Sequence, residues 1–402
     1  MGIPCGLRNK NIFKHMKIKN DISFILSKWV IGIYFLVALF GSFLAGDVPI
    51  FCKINGKMSF PLISSFFTKA SFNSNYSEES CIMPFIPYSP LNIDKDHPAA
   101  LSPFDDSKKE TSKNKHWLGT DKLGRDVASG MIHGTATALK IGIISVFFAF
   151  IVGVSLGMMS AYYKDDGIRI SIPLLIALLV VIPTAIYYMI MEWVIFNSSV
   201  LYLSSACLVG IIIFGAIISW SNKSDYFKKH NVPIDMLLLK VIEIRKSFPG
   251  IFILLALVSL FAVPSIWNIV FIIALLGWTE FARFARAETL AVKEENYILS
   301  VKVLGFSDVR ILVGHILPNI LPTLIVMVCF SIGSAVLLES TLSFLGIGLP
   351  VEEVTWGKMM AEGRNMNAWW LVVFPGLAIF ILILSLNTLA TGYQKSNFTR
   401  IF

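Results

Sequence analysis

Long apolar runs broken by short polar stretches set the pattern of this chain. A transmembrane helix needs roughly 20 mostly apolar residues. Runs approaching that size fall at Trp29–Ala45, Ala138–Tyr162, Ile172–Phe196, Leu201–Trp220, Phe252–Val263, Ile266–Phe281, Ile320–Phe344 and Trp370–Leu389. The fifth is short and is expected to borrow its first turns from the amphipathic stretch Ile234–Phe248. The runs are continuous rather than alternating, which argues against a transmembrane β-barrel. The expected fold is an all-α integral membrane protein of about eight spans.

Composition agrees. Apolar residues make up 55% of 402 residues and charged residues only 15%, against about 25% charged in soluble domains. The 31 Phe and 9 Trp are a packing composition rather than a disordered one. Five Cys are too few for a disulfide scaffold. The net charge of +8 is placed first in cytoplasmic loops, with no need for nucleic acid as a partner.

Charge also orients the spans. Arg8, Lys10, Lys14, Lys17, Lys19 and Lys28 against Asp21 place segment 1–28 in the cytoplasm. The run at 29–46 reads as an uncleaved first span rather than a signal peptide, being longer than an h-region and lacking an A-x-A site. An even number of crossings returns the carboxyl end to the cytoplasm and puts 47–126 outside, as a small extracytoplasmic loop domain. Pro61, Pro84, Pro87, Pro90, Pro98 and Pro103 punctuate that domain and predict turns and short extended pieces. Cys52 and Cys81 lie in it, and two readings stay open there, a disulfide permitted by an oxidising exterior or two free thiols.

The most informative polar stretch runs over 283–318. Tyr297, Val301 and Leu304 recur at helical spacing and make one apolar face. Gly305 suits a left-handed helix stop, and Ser307 is placed to cap a second helix with Asp308 in its first turn. Pro318 and Pro322 bracket entry to the next span. The result is a short helix on the cytoplasmic face whose apolar side needs a cover. Two or three side chains at ~1.5–3 kcal/mol each suffice to dock it in a groove. A helix lying on lipid is the alternative, but Glu294, Glu295 and Asp308 among the bases favour a protein groove.

These residues carry a resemblance. Gly305…His315-Ile316-Leu317-Pro318 resembles the loop of ABC importer permeases that docks on the ATPase, in the version of the dipeptide/oligopeptide branch. Leu118-Gly119-Thr120-Asp121, followed by Gly124-Arg125-Asp126, resembles the LGTD-x-x-GRD segment before the second span of that branch. Leu338-Glu339…Ser343…Gly346-Ile347-Gly348-Leu349-Pro350 with Thr355-Trp356-Gly357 is a third match, and Trp369-Trp370…Phe374-Pro375-Gly376 a fourth. Together they cover about the last three quarters of the chain, in the family's order. Two departures stand out. Leu299 occupies the position of the loop's usual acidic residue, and roughly seventy residues separate Tyr162-Tyr163 from Ser247-Phe248-Pro249.

The resemblance implies a type I ABC importer permease core of six spans within 127–402, with an inserted helical hairpin at 171–222. It implies a coupling loop carrying Glu295, Tyr297, Ser300, Val301, Leu304, Gly305, Ser307, His315 and Pro318. It further implies a second homologous permease, two ABC ATPase subunits, an extracytoplasmic peptide-binding protein and a peptide substrate, in a bacterial inner membrane. Nickel or peptide antibiotics are alternative cargoes.

An ion-coupled secondary transporter is the reading from another class. It asks for paired ionisable residues at the membrane midplane, where only Glu339 stands in an otherwise apolar run. Glu339 and Ser343 are candidate pathway or gate residues, with a structural hydrogen bond as the alternative for Glu339. No G-x-x-x-x-G-K-[ST] phosphate loop, catalytic triad order or metal-spaced cluster occurs. No cofactor is expected on this chain, and ATP with Mg belongs to the partner ATPases.

Overall fold

The computed structural model describes residues 22–54, 57–62, 81–93, 100–103, 116–164, 169–170, 230–231, 233–261 and 263–401. The chain opens with α1 (Ile22–Leu39) and the short α2 (Gly41–Leu44). Strands β1 (Phe51–Ile54), β2 (Lys57–Ser59) and β3 (Cys81–Ile82) follow, then the long α3 (Val127–Tyr163). Two-residue strands β4 (Arg169–Ile170) and β5 (His230–Asn231) precede α4 (Ile234–Ser247), α5 (Gly250–Leu260) and α6 (Ile266–Val292). The next elements are α7 (Asn296–Val303), α8 (Asp308–Ile311), a π-helical turn at Leu312–Ile316 and α9 (Leu317–Phe344). The chain closes with α10 (Trp356–Met366) and α11 (Trp369–Ile401).

Among the described residues, five helical stretches are long and apolar enough to cross a membrane: α1, α3, α6, Asp308–Phe344 and Trp369–Lys395. Helix α5 is apolar but has only 11 residues, about 16 Å of rise. It does not borrow turns from α4 in one continuous helix, because extended backbone at Phe248 and Pro249 separates them. Proline supplies no amide hydrogen to carry the ladder across.

Other boundaries move as well. The first span starts at Ile22 rather than Trp29 and stops at Leu39. Lys28 lies within the helix, its ammonium 4.1 Å from the Phe24 ring centroid; a reading that ends spans at charged residues misses such a cation–π contact. Pro318 and Pro322 lie within α9 rather than bracketing its start, and the helical path runs unbroken from Asp308 to Phe344. The hairpin placed at 171–222 and the segment 1–21 lie outside the described residues. Strands β4 and β5 pair antiparallel with Ile170 opposite His230, so the chain leaves and re-enters at adjacent points.

The described residues of the loop at 47–126 include the short extended pieces that its prolines predict. Its sheet has the order β2-β1-β3, with both pairings antiparallel. Cys52 stands opposite Cys81 and the two form a disulfide.

Contacts divide the chain into two compact units. The first comprises Met1–Phe147, Ser265–Ile273 and Ile325–Phe402, the second Phe148–Pro264 and Ala274–Leu324. In the first, Trp356 is completely buried with Leu371 and Leu382, and its indole nitrogen donates to the Met131 carbonyl at 3.2 Å. A Cβ at Gly134 would meet the indole at 2.8 Å, and one at Gly357 would press on the Ser340 carbonyl. In the second, α3 meets α6 backbone to backbone. A Cβ at Gly153 would lie 2.6 Å from Phe281 Cβ, and one at Gly157 would collide with the Ala282 carbonyl.

Replacing Gly157 by Leu is therefore expected to destabilise the purified protein by at least the ~1–3 kcal/mol of ordinary overpacking. Gly32, where an added Cβ would meet no other group within 4 Å, serves as the control: Gly32→Ala should leave stability equal or slightly higher. Thermal unfolding of both variants in detergent reads the contrast.

Candidate functional site

The Gly305 loop belongs to the second unit. Helix α7 begins after Glu295, whose extended backbone sits at the N-cap without a side-chain hydrogen bond. It ends as a Schellman turn: Gly305 N–H donates to Lys302 O at 3.0 Å and Phe306 N–H to Val301 O at 3.5 Å. Gly305 has φ +80° and open space where a Cβ would project. This is the left-handed position that a side chain strains.

Ser307 stands at the N-cap of α8, but its hydroxyl makes no capping bond. That corrects the role read from sequence; the Ser307 backbone has cap geometry and the side chain is exposed instead. Ser300 bonds back to the Asn296 carbonyl at 2.9 Å. His315 lies in the π-turn with its ring edge-on to Phe306, centroids 6.0 Å apart.

The loop divides its apolar residues sharply. Ile298, which the sequence reading passed over, is 2% exposed and anchors α7. Tyr297 is half-exposed and accepts a hydrogen bond from Asn319 Nδ2 at 2.5 Å. Val303, Leu304 and Val309 are 88%, 73% and 67% exposed. Three apolar side chains this bare beside one turn form a surface that a partner can cover.

The loop is bolted to the last turn of α3. Lys293 Nζ donates to the Ala161 carbonyl at 2.6 Å, and the Tyr162 hydroxyl donates to Asp308 Oδ1 at 2.8 Å. The Lys302 ammonium lies 5.9 Å from the centroid of the Tyr162 ring. Burial pushes Lys293 below the usual ammonium range. Helix α4 is fastened to α6 by Arg286, whose Nε and Nη2 donate to the two Asp235 oxygens at 2.5 Å each. Glu280 gathers Arg245, Lys246 and Arg283 at 2.8–3.3 Å. The Arg286 hydrogen bonds hold the Asp235 carboxyl below its ordinary range.

The segment Leu118–Asp126 forms a tight clasp in the first unit. Gly119 and Gly124 take φ of +81° and +82°, and the Leu101 carbonyl and Pro103 fill the place of a Gly119 side chain. Asp121 Oδ1 accepts from the backbone of Leu123 and Arg125, both at 2.8 Å. Thr120 Oγ1 accepts from Leu101 N at 2.9 Å. Asp126 caps α3, one oxygen accepting from Ser129 N at 2.7 Å and the other 2.8 Å from His116 Nδ1. The Trp370 indole donates to the Thr120 carbonyl at 3.2 Å, joining the second and fourth motifs.

Glu339 is completely buried, accepting from Ser343 at 2.8 Å and Ser340 at 3.2 Å. Beside the clasp lies a cavity of about 310 Å³ with Asp121, Arg125, Ser343, Glu353, Lys358 and Glu362 in its wall. Its charges are largely self-engaged: Lys358 Nζ donates to the Pro350 and Glu353 carbonyls, and Arg125 lies 3.4 Å from Asp121. Burial lowers Lys358, while burial and the Asp121 charge raise Glu362.

Residues 211–401 match the family described as binding-protein-dependent transport system inner membrane component. The chain is 27% identical over 284 residues to the dipeptide transport system permease protein DppC of Alkalihalophilus pseudofirmus, covering 70% of this chain and 71% of the relative. It is 27% identical over 305 residues to the glutathione transport system permease protein GsiD of Pectobacterium atrosepticum, covering 74% and 79%. The probable D,D-dipeptide transport system permease protein DdpC of Escherichia coli K12 is 27% identical over 281 residues, covering 69% and 72%.

Two outcomes follow from the geometry. Asp126→Ala removes a helix cap and leaves His116 without its carboxylate, which should cost roughly 2–4 kcal/mol in thermal or denaturant unfolding. Asp235→Asn should lower stability by about 1.5–3 kcal/mol at pH 7. A depressed carboxyl stabilises the fold fully above about pH 4 and loses that contribution as pH falls through its folded value. The gap between Asp235→Asn and the native protein should thus close below about pH 4, as read by unfolding across a pH series.

Proposed function

We propose that this protein, whose residues 211–401 match the family described as binding-protein-dependent transport system inner membrane component, is the membrane-spanning permease subunit of an ATP-driven peptide importer. The observation that carries this reading is the Gly305 loop. A short helix anchored by Ile298 and stopped at a left-handed glycine leaves Val303, Leu304 and Val309 bare. Burying each adds ~1.5–3 kcal/mol to a docked complex.

The partner of that surface is an ABC ATPase subunit, which holds the ATP and Mg; two such subunits serve a pair of permeases. The second permease lines the pathway with this chain, and an extracytoplasmic binding protein delivers peptide to the face that carries 47–126. Both termini and the Gly305 loop face the cytoplasm, as the basic residues of 1–28 and the bases around α4 support. The substrate class follows the relatives, whose names specify dipeptide, glutathione and D,D-dipeptide transport.

ATP binding closes the ATPase pair, the docked loop moves with it, and the spans exchange inward for outward opening. Work passes through a contact that must be rigid and apolar. At Gly305 a side chain strains the turn and projects from the loop into open space.

Gly305→Trp in the reconstituted complex should abolish ATP-driven peptide uptake and stimulated ATPase activity, with Gly305→Ala intermediate. Uptake and ATPase stimulation at native levels in Gly305→Trp would refute the coupling role.

A further inference from the structure

The Gly305 loop touches the last turn of α3 from both of its ends. At its start, Lys293 donates to the Ala161 carbonyl, one of the terminal carbonyls a helix cannot satisfy itself. At its far end, Asp308 in the first turn of α8 accepts a hydrogen bond from the Tyr162 hydroxyl at 2.8 Å. Between them Lys302, in the last turn of α7, lies over the Tyr162 ring. Adjacent residues of one helical turn thus hold the entry, middle and exit of the loop.

That turn is itself immobilised on α6. Gly153 and Gly157 let the α3 backbone rest on Trp278, Phe281 and Ala282, and Phe150 meets Phe281 edge-on with centroids 5.7 Å apart. A displacement of α7 therefore reaches α3 through named bonds rather than through the chain alone. Of these bonds, the one from Tyr162 joins side chain to side chain at 2.8 Å, and Tyr163 beside it reaches the same Asp308 carboxylate. The Ser307 hydroxyl beside it makes no cap, so α8 is held at its start by the Asp308 carboxylate.

We propose that Tyr162 is a positioning residue for coupling, passing movement of the Gly305 loop into α3 through its hydroxyl bond to Asp308. The proposal rests on the importer reading above. A donor to an ionised acceptor forms one of the stronger hydrogen bonds available, and its direction fixes where α8 sits relative to the end of the span. The Lys302 contact needs only the ring, so removing the hydroxyl alone separates the two functions. Tyr162→Phe keeps the ring and the cation–π contact while losing the hydroxyl bond.

The experiment uses the assembled complex in proteoliposomes and reads peptide imported per ATP hydrolysed. Tyr162→Phe should keep its ATPase rate within about twofold while that ratio falls about tenfold, the change expected from losing one bond to a charged acceptor. Asp308→Asn retains an acceptor oxygen without its charge and should fall between the native ratio and that of Tyr162→Phe. Asp308→Ala, which also loses the Tyr163 bond, should fall at least as far as Tyr162→Phe, and the double variant should be no worse than Asp308→Ala alone. If Tyr162→Phe fails to assemble, Asp308→Ala reads the same bond from its other side.

An unchanged ratio, or uptake and ATPase falling in proportion in both Tyr162→Phe and Asp308→Ala, overturns the proposal. A native complex that shows no ATP-driven peptide uptake fails at the earlier step and refutes the importer reading itself.

Discussion

At Gly153 and Gly157 the α3 backbone rests directly on α6, and the second unit depends on this close approach. Within lipid, the hydrophobic effect supplies little reason for two helices to associate, so contact area and packing decide. Small residues give that area by letting the main chains meet. The G-x-x-x-G spacing therefore serves packing within this chain. With α3 and α6 joined, the Arg286–Asp235 pair can add α4 and the Gly305 loop has a fixed base.

The loop shows how a small amount of local chemistry makes a usable surface. A Schellman turn at Gly305 reverses the chain, Ile298 fastens one side of α7 inward, and the side chains beyond the turn are left outside. The polar residues have the complementary task of holding the loop to α3 and to the start of α9. Bare apolar tips on a firmly held base are what a mechanical contact with another subunit requires.

The first unit solves a different problem. Its motifs look functional in sequence, yet in the structure they mostly bond to one another. Asp126 caps α3 and Asp121 closes the turn before it. Thr355 caps α10, accepting from Lys358 N at 3.3 Å. Trp356 fills the core and Trp370 reaches the Thr120 carbonyl. Glu339, a candidate for the pathway from sequence alone, is enclosed with both carboxylate oxygens engaged by hydroxyls. The residue types that suggest chemistry here hold a short amphipathic helix in place between two spans.

The sequence by itself determined the membrane class, the apolar helices α1, α3, α6, α9 and α11, the short extended pieces among the described residues of 47–126 and the turn at Gly305. Each of these follows from local composition: long apolar runs have no other stable solvent, prolines interrupt helices, and a glycine between two helical periods marks a left-handed stop. It did not set the ends of α1, α6 and α9. Lys28, Arg286 and Asp308 are tolerated inside helical paths because a ring or a carboxylate or a hydroxyl stands beside each. It left the pairing of Cys52 with Cys81 open, since only strand register brings those sulfurs together. It also could not show Ile298 as the anchor of α7 or Tyr162 as the partner of Asp308. Those contacts join residues far apart in the chain, and only the tertiary packing of α3 on α6 decides which side chains come within reach of one another.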